Sequence, residues 1–121
     1  MAKIIVTMNN KEVSEILMKK KITLIGRDTD NDIYLKNPSV SRKQAKIIKQ
    51  GKAFYVEDMG STNGTFVNGG LVSWKTGLND NDKIAVGKYI LIFKEKSKEK
   101  KGKSQKIMPE FLQTTIKRKN K

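Results

Sequence analysis

Three short polar clusters carry residue types that can hold an anion beside a peptide backbone. The first is Gly26-Arg27. The second is Ser39-Val40-Ser41-Arg42-Lys43-Gln44. The third is Gly60-Ser61-Thr62-Asn63-Gly64-Thr65, with Val67-Asn68-Gly69 behind it. An arginine guanidinium presents a planar fork of N–H donors that matches phosphate oxygens. Ser and Thr hydroxyls add one donor each, and an Asn amide can donate and accept along a main chain at once. The chemistry these groups suit is recognition of an anion on a peptide, not the making or breaking of a bond.

The rest of the composition agrees. The 121 residues include no His, and none of the residues is Cys. The commonest general base and metal ligand is therefore missing, as are disulfides and zinc–thiolate sites. Asp28, Asp30 and Asp32 alternate like the opening of an EF-hand loop. That loop needs Gly next and Glu at its twelfth position, where this chain has Ile33 and Ser39. A polar turn with Asx side chains bonded to local backbone is expected there instead. Lys75-Thr76-Gly77 and Ser97-x-x-Lys100 match two β-lactamase boxes in the wrong order. After Gly60, four residues lead to Thr65 and not to the Gly-Lys of a nucleotide loop. No enzyme, cofactor or metal site is expected.

The clusters must be positioned by short β-strands. Alternating or β-rich segments at residues 3–8, 13–18, 22–25, 44–49, 53–57, 65–67, 71–74, 83–86 and 89–93 are separated by turn residues. Asn68-Gly69 is the strongest hairpin signal among them. No segment has convincing helical periodicity, so an all-β sandwich or barrel is predicted. Trp74 and Tyr89 are assigned to its core. Lys43, Lys46 and Lys49 are assigned to one solvated basic edge. The three clusters then fall on inter-strand loops, where binding groups converge.

Charge and apolar content divide the chain. Residues 1–93 hold 39 apolar residues and a net charge of +6, whereas residues 94–121 hold 5 and carry +8 of the total +14. The first part can build a core; the second cannot bury enough to offset its ordering entropy. Two units are expected: a domain over 1–93, and a basic low-complexity tail over 94–121 with an apolar island at 107–116. The Lys-rich tail suits weak, nonspecific polyanion binding by counterion release. No apolar run reaches the length of a membrane span and no signal-peptide pattern is present, so no membrane insertion and a cytoplasmic location are expected.

The ordered set Gly26-Arg27, Ser41-Arg42, residues 60–65, Val67-Asn68-Gly69 and Gly87 resembles the forkhead-associated (FHA) family. The resemblance covers roughly residues 3–93, and small bacterial FHA proteins are the nearest type. It implies an FHA-type sandwich of two twisted, mainly antiparallel sheets of about eleven strands, with the ligand on loops at one end. It further implies a phosphothreonine-dependent binding module acting in Ser/Thr kinase signalling, with a phosphothreonine-bearing protein as partner and a kinase upstream. By that likeness Arg27 is the main phosphate contact. Ser41 offers its hydroxyl, with its backbone N–H as a second candidate donor. Arg42 is a second cation, Thr62 supports the phosphate, and Asn63 bonds the peptide main chain. Gly26, Gly64 and Asn68 supply turn geometry. Gln44 stands where the family usually has a loop-stabilising His, and its amide is expected to replace one imidazole bond. Thr114 or Thr115 in the tail is a candidate phosphosite for self-recognition, as in small FHA regulators that carry a Thr-Thr segment outside the domain. Two other readings stay open: an FHA-like scaffold that binds partners without phosphate, and a basic nucleic-acid-associated protein.

Overall fold

A computed structural model describes residues 2–95 of the chain. The apolar island and Thr114-Thr115 lie outside the described residues. Among the described residues, eleven strands form two sheets: β1 (Ala2–Met8), β2 (Lys11–Leu17), β3 (Ile22–Gly26), β4 (Ile33–Tyr34), β5 (Ala45–Gln50), β6 (Ala53–Asp58), β7 (Thr65–Val67), β8 (Gly70–Leu71), β9 (Lys75–Leu78), β10 (Lys83–Val86) and β11 (Tyr89–Glu95). One sheet runs β2-β1-β11-β10-β7-β8 and the other β4-β3-β5-β6-β9. All pairs are antiparallel except β3 with β4.

Period-2 alternation explains the two layers. Ile4 and Val6 of β1, Ile84 and Val86 of β10, and Leu91 and Phe93 of β11 are buried on one sheet; Ile25, Ala45, Ile47, Phe54 and Val56 are buried on the other. The Phe54 and Phe93 rings meet across the sandwich at 5.0 Å with a tilted geometry. Because β3 and β4 are parallel and the other pairs antiparallel, the end of β3 and the connections β1–β2, β4–β5, β6–β7, β8–β9 and β10–β11 lie at one end of the molecule.

Several expectations change. The predicted strand over 71–74 is replaced by the two residues of β8 and a separate β9 from Lys75. Trp74 is not in the core but 75% exposed, because Val72, 4% exposed, takes the inward position of that segment. Tyr89 is buried. Lys43 and Lys46 are ion-paired, with Asp28 and Asp30 and with Glu57 respectively. Strand β11 runs to Glu95, two residues past the expected boundary, paired with Ala2.

Candidate functional site

Arg27 directly follows β3 and is anchored twice. Its backbone N–H donates to the Ser41 carbonyl (3.0 Å), and its Nε donates to the Val40 carbonyl (2.9 Å). The second bond fixes the guanidinium through Nε and leaves the Nη groups open on an exposed loop tip. A groove of about 580 Å³ lies beside it, lined by Arg27, Tyr34, Lys36, Asn37 and Pro38.

The Ser41 hydroxyl accepts the Thr62 backbone N–H at 2.9 Å. Its own hydrogen stays available to an anion, and its oxygen ties loop β4–β5 to loop β6–β7. The Ser41 N–H, by contrast, is occupied: it donates to Gln44 Oε1 at 2.9 Å. The backbone of Ser41 is thus structural and only the hydroxyl is free. The Asn63 amide donates to the Ser39 carbonyl at 3.3 Å, a long bond that leaves Oδ1 open. Thr62 is exposed at the same tip. Arg42 is exposed too, and its carbonyl accepts from Asp28 N–H and Asn31 Nδ2. The structure therefore brings Arg27, Ser41, Thr62 and Asn63 onto linked loops.

Behind these tips lies a buried polar network that the sequence did not reveal. Gln44 is 1% exposed. Besides the Ser41 bond, its Nε2 donates to the Gly64 carbonyl and to Thr65 Oγ1, both at 3.0 Å. Gln44 makes three bonds and not one. A neutral imidazole offers one donor and one acceptor, so it could not reproduce them all. Thr65 Oγ1 donates in turn to Asp58 Oδ1 (2.7 Å), which also accepts from Ser61 Oγ. Asp58 Oδ2 takes the backbone N–H groups of Gly60 and Ser61 at 3.0 Å. Burial opposes charge on Asp58, but the bonds from Ser61, Thr65 and Gly60 outweigh it and hold its carboxyl below the usual range. Asp32, held low chiefly by the Leu24 N–H and then by Lys20, follows the same pattern.

A carboxyl lowered by folding contributes stability that is complete above its unfolded pKa of about 4 and is lost as pH falls through the folded value. Acid destabilisation is therefore expected only below about pH 4. Denaturant midpoints measured from pH 7 down to pH 2 should fall less steeply in Asp58→Asn than in the wild type. Parallel curves would remove Asp58 from this account.

The glycines act in different ways. Gly26 is within a strand, and a Cβ there would lie 2.1 Å from the Arg42 carbonyl oxygen. Close approach, not turn geometry, is what requires glycine at this position. Gly64 has φ +89°, in the left-handed region expected of a turn glycine. Asn68 (φ +50°) and Gly69 (φ +87°) make the tight β7–β8 hairpin. Asn68 also bonds Asp82 and the Lys83 N–H, far from the site end. Ser39 was given no role by sequence, yet its Oγ receives the Lys88 N–H and donates to Asn37 Oδ1, joining loop β10–β11 to loop β4–β5. The Asn37-Pro38-Ser39 turn chemistry was the available signal.

The fold is thus a β-sandwich that carries anion-competent Arg, Ser and Asn groups on linked loops at one end. The family model for the FHA domain matches residues 23–87; the chain belongs to the FHA domain family. It is 38% identical over 86 residues to the oxoglutarate dehydrogenase inhibitor of Corynebacterium jeikeium, covering 71% of this chain and 59% of that one. The FHA domain of CT664 from Chlamydia trachomatis superposes with a TM-score of 0.72 at 29% identity, covering 79% of this chain and 98% of that one. An FHA domain from a structural and functional analysis of phosphothreonine-dependent FHA domain interactions gives a TM-score of 0.70 at 26% identity, over 78% of this chain and 98% of that one. The chain spans about half to three-fifths of the length of the curated relatives it matches.

Proposed function

We propose that this protein is a phosphothreonine-dependent binding module, without a catalytic step of its own, that reads the output of a Ser/Thr kinase in the cytoplasm. The observation that carries this reading is the pairing of Arg27 with Ser41. Arg27 is pinned through Nε to Val40 with its fork open, and the neighbouring Ser41 hydroxyl is held by Thr62 with its hydrogen free. In this reading Arg27 and Ser41 bind the phosphate, with Thr62 and Arg42 supporting it, and Asn63 binds the peptide main chain. Gly26, Gln44 and Gly64 hold these loops, whereas Asn68 shapes the β7–β8 hairpin at the other end. The test is calorimetric titration with matched phosphothreonine and unmodified peptides, starting from a degenerate library. Only the phosphorylated copies should bind. Affinity should fall below about pH 6, where phosphate takes up its second proton, well above the acid range in which Asp58 titrates. Equal binding of both peptide forms rejects the reading.

The tail adds two proposals. Its basic residues bind polyanions weakly and without sequence preference, so deleting residues 96–121 should abolish a salt-dependent association with duplex DNA and leave phosphopeptide binding intact. Thr114 or Thr115, once phosphorylated, occupies the loops of its own or a second copy at an effective concentration near ~mM. Phosphothreonine installed at either position should weaken external peptide binding or change the oligomeric state. If neither changes, there is no such switch.

A further inference from the structure

The outer face of the β2-β1-β11-β10-β7-β8 sheet is apolar where a solvated face would be polar. Ile4, Val6, Ile84, Val86, Leu91 and Phe93 are buried in the core, so alternation turns Ile5, Ala85, Ile90 and Ile92 outward. Register sets these side by side: Ile5 opposite Ile92, Ile90 opposite Ala85, Ala85 opposite Phe66, and Phe66 opposite Leu71. Phe66 and Leu71 also flank one point, since a Cβ at Gly64 would lie 3.3 Å from Phe66 Cε1 and 3.0 Å from Leu71 Cδ1. Together they form one band across β1, β11, β10, β7 and β8.

An antiparallel sheet with one wet face alternates apolar and polar residues, whereas a near-continuous apolar run marks a strand covered on both faces. Strand β11 reads Tyr89-Ile90-Leu91-Ile92-Phe93, the second pattern. Its outer side nevertheless stays open among the described residues, with Ile90 37% exposed and Leu71, across the band, 63% exposed.

We infer that this band is the docking surface for residues 107–116 of the same chain in its unphosphorylated form. All the apolar residues of 94–121 fall in that segment: Ile107, Met108, Phe111, Leu112 and Ile116. Alone they cannot offset the entropy of ordering; a preformed apolar band supplies the partner surface they lack. The chain also leaves the domain from this sheet, because Glu95 at the end of β11 pairs with Ala2 of β1. Ile90, in the middle of the band, lies ~17 Å back along β11 from Glu95. Residues 96–106 join Glu95 to Ile107, and about 12 residues of coil span ~17–21 Å root mean square. The tether therefore centres the segment on the band at an effective concentration near ~mM. Size argues against a second copy as the occupant. The band is about 19 Å by 14 Å, a footprint below ~300 Å², where a stable dimer buries about 800 Å² per partner. The inference is independent of the phosphothreonine reading.

The experiment uses the full chain. It has no Cys, so Gln113→Cys takes a single nitroxide label within the segment and Ser104→Cys one just before it. Amide NMR peaks are compared with the label oxidised and reduced, in dilute protein and at raised salt, which screens contacts made by the Lys-rich residues alone. The label at 113 should erase peaks of Ile5, Phe66, Ala85, Ile90 and Ile92, and the label at 104 those nearer Glu95. Both effects should persist in salt. They should vanish in Phe111→Ser with Leu112→Ser, two changes outside the domain that leave its own amide spectrum dispersed. Broadening that avoids the band, disappears in salt or survives the serine substitutions overturns the docking. So does broadening seen only when spin-labelled protein is mixed with unlabelled, isotope-enriched protein, which would make a second copy the occupant. Phosphothreonine-peptide titration of the same samples is unaffected by either result, so failure here does not touch the reading above.

Discussion

Arg27→Ala is expected to weaken phosphothreonine-peptide binding about 30-fold, roughly 2 kcal/mol. Truncating one partner of a desolvated charge pair costs about 2–5 kcal/mol, and the exposed position of Arg27 puts it at the low end. The Nε bond to Val40 matters here because it orients the fork before ligand arrives, so little side-chain entropy remains to be lost on binding. Arg27→Lys keeps the charge but not the bidentate geometry, and should fall between Ala and wild type. The fold should tolerate both changes. The Arg27 N–H bond to Ser41 survives any such substitution, and losing the Nε bond costs on the order of 1 kcal/mol. Calorimetry for affinity and a thermal melt for stability separate the two effects. Wild-type affinity in Arg27→Ala would remove Arg27 from the phosphate site.

The loop groups were legible in the sequence because the chemistry restricts the residue types: few side chains other than Arg present a fork to phosphate, and short polar residues favour turns. The longer strands were legible from alternation, as with Ile4 and Val6 in β1 and Leu91 and Phe93 in β11. What escaped depended on tertiary partners. Strand β4 has two residues, and β9 is a sheet edge in which only Leu78 is buried, so neither shows a period. Trp74 was misplaced because a large aromatic ordinarily belongs inside; Val72 takes that place. Gln44 was read as a one-bond substitute for His. Two of its bonds go to residues 20 and 21 positions away, across loops whose approach no local pattern encodes. The Ser41 N–H was offered to ligand for the same reason, when Gln44 already holds it.

That network leads to the largest expected stability effect. Gln44→Ala should destabilise the domain by about 3 kcal/mol, since removing a buried partner leaves each orphaned group costing about 1–3 kcal/mol. The groups concerned are the Ser41 N–H, the Gly64 carbonyl and the Thr65 hydroxyl. Thr65 keeps its bond to Asp58 and the loop tips lie near water, so the full sum is not reached. With a total stability of about 5–15 kcal/mol for a typical domain, this is a large share. At about 4–8 °C per kcal/mol for a domain of this size, the melting midpoint should drop by more than about 10 °C. Gln44→Met separates bonding from packing, because it keeps the volume of the side chain and deletes all three bonds. It should lose most of what Ala loses. Gln44→His keeps at most two of the three bonds and should cost about 1 kcal/mol. Phosphopeptide affinity should fall in Gln44→Met even well below its melting midpoint, although Gln44 is buried away from the loop tips. The Ser41 and residue 60–65 loops would then have to be ordered at the expense of binding. A Gln44→Met variant that melts and binds like the wild type would show that the network is incidental to both.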